Sequence, residues 1–313
     1  MAVIRVEQLR KQYADTVAVD DLTFSVRAGE VYTLLGENGA GKSTTVEILE
    51  GHRQQTSGSV QVLDSDPWNA GRAFRDRIGI VLQSSGIETE FTVREVVELY
   101  GSCYRTPRPL DEVVDLVGLD EKVDAPIGSL SGGQRRRLDL ALGIIGRPEL
   151  LFLDEPTTGF DPAARRKSWD LIESLGADGT TVLLTTHYLD EAEHLADRVG
   201  VLAAGRLIAE GTPEALINQS SGTVVSFMLP ETVGVADATS IFAPLFGADI
   251  RVAGRLVEAT IDHPTAAVHR LTGWALDAGV ELESLAVHRA SLEDVYLSMT
   301  GHAAGRTAAE VDP

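Results

Sequence analysis

The strongest constraint on the fold is a glycine-rich loop that follows a short apolar stretch. Residues 36–43 (GENGAGKS) match the pattern G-x-x-x-x-G-K-[ST], and residues 31–35 (VYTLL) before them are typical of a buried strand. Residues 43–49 then read as a helix. A strand, a glycine loop and a helix in this order form a phosphate-binding unit. Because short β-branched runs alternate with amphipathic stretches up to about residue 211, we predict an α/β fold with a mostly parallel sheet.

The loop contains the groups that phosphate binding requires. Its glycines let backbone N–H groups turn inward around phosphate oxygens. Lys42 would place a cation on the β- and γ-phosphates, and Ser43 would place a hydroxyl on Mg²⁺. The residues predicted to bind nucleotide here are Gly36, Asn38, Gly39, Gly41, Lys42, Ser43 and Thr44.

A second apolar run ends in two acids. Residues 150–153 (LLFL) are followed by Asp154 and Glu155, and parallel sheets present ligand-binding groups outside the carboxyl ends of their strands. We predict that Asp154 holds Mg²⁺, directly or through water. Glu155 would orient the attacking water and accept its proton, so it is the predicted catalytic base. The turn at residues 156–161 (PTTGFD) favours this interpretation over a buried strand with a solvated end.

A third motif, residues 130–134 (LSGGQ), lies between the loop and the two acids. Alone, Ser131 followed by two glycines is typical of a helix N-cap and a turn. A helix that begins there also directs its first N–H groups outward, which suits phosphate. We expect Arg135, Arg136 and Arg137 on the exposed first turns of this helix, and nucleic-acid binding is the weaker interpretation.

Composition excludes several classes of protein. The 313 residues are 43% hydrophobic, enough for real cores, but their apolar runs are far shorter than the ~20 residues of a membrane-spanning helix. The formal net charge of -20 argues against a non-specific nucleic-acid partner, which needs clustered Lys and Arg. The single cysteine, Cys103, excludes an internal disulfide, and residues 1–7 alternate like a strand rather than a signal peptide. We therefore expect a cytoplasmic protein with no nucleic-acid partner.

The three motifs stand in the order found in ATP-binding cassette (ABC) transporter nucleotide-binding subunits, and the chain resembles that family from Tyr13 to His187. The resemblance implies a P-loop nucleotide-binding domain with a helical subdomain, two copies of which clamp ATP and Mg²⁺ between them. Residues 130–134 would be the family signature. The residues that would bind the γ-phosphate of ATP held by the opposite copy are Ser131, Gly132, Gly133 and Gln134.

The resemblance also assigns roles to residues that would say little alone. Tyr13 matches the aromatic residue that stacks on adenine, and Gln83 matches the glutamine that contacts the γ-phosphate and Mg²⁺. Asp161 matches the aspartate of the D-loop, which crosses the dimer seam. His187 matches the switch histidine, a second catalytic residue that contacts the γ-phosphate and steadies the attacking water. The implied metal-binding set is Ser43, Gln83 and Asp154.

The sequence changes texture at a polar junction, residues 218–223 (NQSSGT). We predict a nucleotide-binding domain at residues 1–219, a C-terminal domain at 220–301 and a disordered tail at 302–313. The C-terminal domain reads as β-α-β-β-α-β, the order of a small α+β, ferredoxin-like sandwich. Its predicted strands are 224–229, 249–253, 256–262 and 281–288, and its predicted helices are 236–246, 265–277 and 292–299. Gly254 and Arg255 would form the hairpin turn between its middle strands.

The closing segment, residues 291–301 (SLEDVYLSMTG), resembles that of ABC-2-type exporter ATPases, including the daunorubicin-resistance type. The resemblance implies a homodimer that drives efflux of a hydrophobic drug, lipid or polysaccharide through a separate integral membrane permease. The chain would then lie on the inner face of the cell membrane. Residues 84–100 are similar to the segment that receives a helix from the permease, and their apolar residues equally suit the core face of a helix.

Two other classes of function compete with an exporter subunit. A non-transport ABC ATPase would act in DNA repair or on ribosomes, but repair-type members split the cassette with a long coiled coil, and only residues 43–129 separate the two motifs here. Ribosome-acting members usually carry two cassettes, and the acidic balance disfavours an RNA partner. A metabolic kinase that shares only the glycine loop would leave residues 130–134 unexplained.

Overall fold

The structure is a computed structural model that describes residues 1–81, 86, 88–219, 222–247, 250–289 and 291–296. The chain divides into two compact units between Pro213 and Glu214. The predicted boundary at residues 219 and 220 lies at the end of a short helix, whereas the division falls at its start.

The first unit alternates strands and helices. Its strands are β1 (Ala2–Tyr13), β2 (Thr16–Arg27), β3 (Val31–Leu35), β4 (Ser57–Val62), β5 (Ile78–Val81), β6 (Leu150–Asp154), β7 (Thr181–Thr186), β8 (Arg198–Ala203) and β9 (Arg206–Gly211). Its helices are α1 (Lys42–Leu49), α2 (Arg72–Arg75), α3 (Val93–Gly101), α4 (Leu110–Leu116), α5 (Gly132–Ile144), α6 (Pro162–Ala177) and α7 (Leu189–Leu195), and α8 (Pro213–Gln219) starts at the division. Two 3-10 turns, Asp120–Lys122 and Ile127–Ser129, lead into α5.

The main sheet of this unit has the strand order β5-β6-β7-β3-β8-β9. All neighbouring pairs from β5 to β8 are parallel, and β9 pairs with β8 in the antiparallel direction. The carboxyl ends of β3, β6 and β7 therefore meet at one edge, where parallel sheets bind ligands. A second, antiparallel sheet has the order β2-β1-β4. The predicted α/β fold with a mostly parallel sheet is confirmed.

Both faces of the main sheet are covered by apolar side chains. On one face, buried residues of β3, β6 and β7 pack against the antiparallel sheet, and on the other face they pack against helices α3 to α6. The helical subdomain is built on the second face, since Val97 of α3, Val113 of α4 and Leu138 of α5 belong to one buried cluster. Each fully buried side chain of this size contributes about 1.5–3 kcal/mol. The core thus fixes α5, which carries the signature, beside β6, which carries the acids.

The second unit is a small α+β sandwich. It contains β10 (Thr223–Met228), α9 (Ala238–Phe246), β11 (Ile250–Ala253), β12 (Leu256–Ile261), α10 (Pro264–Ala278) and β13 (Glu283–Arg289), with a 3-10 turn at Val235–Asp237. The strands pair antiparallel in the order β11-β12-β10-β13, which is the ferredoxin-like topology, as predicted. Its core holds Phe242, whose ring contacts Phe227 and Trp274 edge to face, each with 4.9 Å between ring centroids.

Most predicted elements of the second unit are found within one or two residues of their expected bounds. Gly254, with φ of 61°, forms the turn between β11 and β12 as predicted, because Ala253 pairs with Leu256. The predicted closing helix is helical over residues 292–296, and its remaining residues, 297–299, lie outside the described part. The predicted tail at 302–313 also lies outside it. Among the described residues, no helix combines the length and apolar character that crossing a bilayer needs.

Candidate functional site

Three predicted site residues meet at the carboxyl edge of the main sheet. Lys42 is the first residue of α1, Glu155 follows β6 and His187 follows β7. The Lys42 Nζ atom lies 3.7 Å from Glu155 Oε1, and His187 Nδ1 lies 3.2 Å from the same oxygen. The sheet therefore gathers a cation, a carboxylate and an imidazole that are far apart in the sequence.

Lys42 is held inside the glycine-rich loop. Its side chain is 5% exposed, and its Nζ donates to the carbonyl oxygens of Gly36, at 2.7 Å, and Glu37, at 3.1 Å. Burial lowers the pKa of Lys42, while the nearby carboxylates of Glu155 and Asp154 act in the opposite direction. This arrangement places an ammonium group against the loop, which is the position that contact with phosphate requires.

Two glycines of the loop cannot be replaced without a clash. Gly41 has φ of 102°, and a Cβ atom there would lie 2.5 Å from the carbonyl oxygen of Ala18. A Cβ atom at Gly36 would lie 2.5 Å from the carbonyl oxygen of Leu202. Gly39 has φ of 86° and no heavy atom within 4 Å of such a Cβ. The conformation of the loop thus depends on glycine for two distinct reasons, backbone angle and close packing.

The two acids are positioned by Thr185 of the neighbouring strand β7. The Thr185 hydroxyl donates to Asp154 Oδ1, and it accepts a hydrogen bond from the backbone N–H of Glu155 at 3.1 Å. The same N–H also approaches the Thr185 carbonyl oxygen at 3.1 Å. Glu155 itself has φ of 47°, a left-handed conformation that is uncommon for a residue with a side chain. Such strain clusters at functional sites, where the surrounding structure holds it in place.

The Glu155 carboxylate has polar groups on both oxygens. Oε1 faces Lys42 and His187, and Oε2 accepts a hydrogen bond from the Thr158 hydroxyl at 3.2 Å. The His187 Nδ1 atom is buried and, among the described residues, has no partner in hydrogen-bond geometry, even though Glu155 is close. A buried polar atom of this kind is a ready contact for a bound water or phosphate oxygen.

The residues of the motif at 130–134 border a cleft on the surface of the first unit. Ser131 caps α5 by a reciprocal pair of hydrogen bonds with Gln134: Ser131 N donates to Gln134 Oε1 at 2.9 Å, and Gln134 N donates to Ser131 Oγ at 3.3 Å. A Cβ atom at Gly132 or Gly133 would meet nothing within 4 Å. Ser131, Gly133, Gln134 and Asp161 border a cleft of about 380 Å³. Residues of the motif at 130–134 and Asp161 thus share one opening on the surface of the first unit.

Tyr13 lies at the end of β1, beside two cations. The Lys11 Nζ atom lies 5.0 Å and the Arg53 Cζ atom 5.1 Å from its ring centroid. The Tyr13 residue is 36% exposed. Gln83, the predicted contact to the γ-phosphate and Mg²⁺, lies outside the described residues.

The expectation that residues 135–137 form exposed helix turns is wrong. All three arginines are partly buried, and each donates to backbone carbonyl groups. Arg135 reaches Ile127, and Arg137 reaches Gly118. Arg136 reaches the end of β6, and burial lowers its pKa. These side chains fold back onto the protein, where backbone carbonyl oxygens near α5 accept from their guanidinium groups.

Sequence reasoning missed Thr185, and it missed a buried carboxylate behind the site. Glu191 of α7 is fully buried, and its Oε1 accepts hydrogen bonds from Thr157 at 2.7 Å and from Trp169 at 3.1 Å. The signal for Thr185 was present, because polar residues at the carboxyl end of an apolar strand often contact a ligand site. The Glu191 contact has no local signal, since its partners lie on the turn after β6 and on α6.

The oxygen groups at this edge fit a hard divalent cation. Among the described residues there is no cluster of three or more His, Cys, Asp or Glu side chains able to hold a metal by itself. Mg²⁺ usually takes only one or two carboxylates and shares its remaining positions with water and substrate phosphates. The Asp154 carboxylate at the end of β6 and the exposed Ser43 residue at the start of α1 match that requirement.

Comparison with known sequences identifies the family. The profile of the family described as ABC transporter matches residues 19–158, and that of the ABC transporter domain-containing protein-like C-terminal domain matches residues 223–291. The chain is 39% identical over 303 residues to the daunorubicin resistance ATP-binding protein DrrA3 of Streptomyces coeruleorubidus, covering 95% of this chain and 96% of that protein. It is 38% identical over 308 residues to the Nod factor export ATP-binding protein I of Burkholderia orbicola, covering 96% and 98%.

Comparison with solved structures agrees. The ATP-binding subunit of an ABC transporter is 26% identical with a TM-score of 0.64, covering 69% of this chain and 92% of that one. An ABC transporter cassette in its ADP conformation is 27% identical with a TM-score of 0.61, covering 69% and 92%. A bacterial cassette solved as a dimer is 25% identical with a TM-score of 0.59, covering 67% and 98%. The chain therefore belongs to the ABC transporter family and is an ATP-hydrolysing, ATP-binding subunit.

Proposed function

We propose that two copies of this chain clamp two ATP molecules at their seam and that hydrolysis drives export through a separate membrane permease. The observation that carries the proposal is the meeting of Lys42, Glu155 and His187 at one sheet edge, with Glu155 Oε1 3.7 Å from Lys42 and 3.2 Å from His187. This group supplies a phosphate-binding cation, a base and an orienting imidazole, which are the parts of a phosphoryl-transfer site.

Hydrolysis then proceeds by attack of water on the γ-phosphorus. The water oxygen forms a bond to phosphorus, the bond to the β–γ bridging oxygen breaks, and the products are ADP and inorganic phosphate. The Glu155 carboxylate accepts the water proton, and His187 orients the water and the γ-phosphate. Lys42 binds the β- and γ-phosphates, and Tyr13 stacks on adenine. Ser43, Gln83 and Asp154 would hold Mg²⁺, which would supply positive charge to the phosphates.

The second copy completes each site. We assign Ser131, Gly132, Gly133 and Gln134 to the γ-phosphate of ATP bound by the opposite copy and place Asp161 at the seam. The cleft that Ser131 and Asp161 border supports this assignment, because the helix N-terminus there is exposed. The dimeric state of a related bacterial cassette supports it as well.

The permease and the cargo are inferred from relatives and from one exposed surface. The similar proteins are named for daunorubicin resistance and for Nod factor export, so we propose a hydrophobic drug, a lipid or a polysaccharide as cargo. Around α3, Phe91 is 42%, Leu99 55% and Tyr100 41% exposed. These side chains would receive a cytoplasmic segment of an ABC-2-type permease, and the subunit would lie on the inner face of the cell membrane.

A capture experiment tests this function. The Glu155→Gln variant, tagged and incubated with ATP, is purified from detergent-solubilised membranes of the producing cells, with the same variant without ATP as control. We expect a polytopic membrane protein to co-purify in stoichiometric amount. Ribosomes, DNA-repair proteins or no membrane partner, found with a variant that still binds ATP, would favour a non-transport ABC ATPase instead.

A further inference from the structure

Arg136 lies in helix α5, shortly after the motif at residues 130–134. Its side chain contacts the end of strand β6 in the same chain. Arg136 of α5 donates to three consecutive carbonyl oxygens at the end of β6: Nη2 to Asp154 at 3.0 Å and to Glu155 at 3.1 Å, and Nε to Pro156 at 2.9 Å. Its side chain is 11% exposed. A planar guanidinium can serve several acceptors at once because its N–H groups point in fixed, divergent directions.

The contact falls on the strained residue of the site. Glu155 has φ of 47°, and both polar groups of its backbone are held by side chains of other elements. Thr185 of β7 accepts from its N–H, and Arg136 of α5 donates to its carbonyl oxygen. An uncommon backbone conformation persists only when its surroundings over-determine it. Arg136 is therefore a side chain that helps to hold the backbone from which the Glu155 carboxylate projects.

Acidic groups compensate the buried charge of Arg136. Asp139, one turn further along α5, lies 3.9 Å from its Nη1 atom and is itself mostly buried. The guanidinium is thus held by two sets of groups. These are the carbonyl oxygens at the end of β6 and the Asp139 carboxylate of its own helix. A buried, multiply bonded arginine resists rearrangement, because a displaced guanidinium would leave charged and polar groups without partners.

We propose that Arg136 is a positioning residue that fixes Glu155 for proton transfer and links it to the signature helix of the same chain. The inference rests on the proposed function, in which Glu155 is the base and residues 131–134 bind the ATP of the opposite copy. Ser131 caps α5 and Arg136 lies on the next turn, so any shift of the signature turn moves the carbonyl contacts at β6. Engagement of one ATP by the signature thus adjusts the base that acts on the other ATP.

The test compares Arg136→Lys with Arg77→Lys. Arg77 also donates to a carbonyl oxygen, that of Leu63, and it pairs with Glu149. Glu149 directly precedes the first residue of β6. A lysine at 136 keeps the charge but loses the planar fork. We expect kcat at saturating ATP to fall by about tenfold or more in Arg136→Lys, with KM for ATP changed by less than about twofold, because a misplaced catalytic group lowers turnover rather than binding. Arg77→Lys should leave both values within about twofold of the wild type.

Several outcomes would overturn the inference. Arg136→Lys with kcat within twofold of Arg77→Lys would remove Arg136 as a positioning residue. So would a fall in kcat matched by an equal loss of ATP affinity and a melting temperature well below that of the control, since that pattern indicates a structural role alone. If Arg136→Lys does not fold, Arg136→Gln, whose amide can still donate to carbonyl oxygens, provides the same comparison. Glu155→Gln separates this inference from the proposed function. If that variant hydrolyses ATP normally, Glu155 is not the base, and the proposed function fails whatever Arg136→Lys does.

Discussion

At the scale of single residues, the glycine-rich loop and the end of β6 depend on uncommon backbone angles. Gly41 has φ of 102° and Glu155 has φ of 47°. For Gly41 the angle requires glycine, whereas for Glu155 hydrogen bonds to Thr185 and Arg136 hold a residue with a full side chain. Strain at these two positions is stabilised in two different ways, by the choice of residue and by the surrounding contacts.

The two central glycines of the loop provide a matched pair of substitutions. Both have positive φ, but only at Gly41 would a Cβ atom clash with backbone, 2.5 Å from the Ala18 carbonyl oxygen. We expect Gly39→Ala to lower the free energy of unfolding by about 1 kcal/mol and Gly41→Ala by about 2–4 kcal/mol. Urea unfolding of both variants measures the difference. Equal losses would show that the Ala18 contact relaxes without cost and that close packing does not shape the loop.

At the scale of elements, helix α5 joins two functions. Its first turn carries the signature, capped by Ser131 and Gln134, and its second turn contacts the end of β6 through Arg136. The buried side chains of Leu138 and Ile144 hold the C-terminal part of α5 in the core that covers one face of the main sheet. One rigid element thus sets the geometry of the surface that would meet the second copy and of the catalytic strand.

Ser131→Arg tests the role of the first turn of α5. The substitution removes the N-cap and places a long cation at the exposed start of the helix, where the dipole disfavours positive charge. We expect ATP binding by the monomer to change by less than about threefold, while ATP-dependent dimerisation, measured by light scattering, is lost. Ser240→Arg, which adds the same side chain at an exposed site of the second unit, should dimerise normally. Normal dimerisation of Ser131→Arg would contradict the cross-copy site.

The local pattern of the sequence predicted the elements better than their contacts. The glycine loop, strand β6 and the β-α-β-β-α-β order of the second unit were predicted, because each depends on periodicity or on turn chemistry within a short window. The burial of Arg136 was not, since its acceptors lie beyond residue 150, on another element. The Glu191 contact to Thr157 was missed for the same reason. Contacts between distant segments follow from tertiary packing, which composition and spacing do not encode locally.

At the scale of the whole molecule, the chain divides into two compact units, each with its own buried apolar residues. The first unit contains the glycine-rich loop, Asp154, Glu155, His187 and residues 130–134. The second unit has its own aromatic core around Phe242. All of the predicted site residues lie in the first unit. We assign catalysis to the first unit and to its pairing with a second copy. In this assignment Glu155 is the base in an ATP-clamped dimer.

Turnover and dimerisation of the Glu155→Gln variant test that claim most directly. The amide keeps the size of the carboxylate but cannot accept the water proton, so we expect steady-state ATP hydrolysis to fall by about a thousandfold or more, with a stable dimer accumulating in ATP. Glu149→Gln, the same change just before the other end of β6, should hydrolyse ATP like the wild type. Normal hydrolysis by Glu155→Gln would show that Glu155 is not the base, and an inactive variant that stays monomeric in saturating ATP would contradict the ATP-clamped dimer.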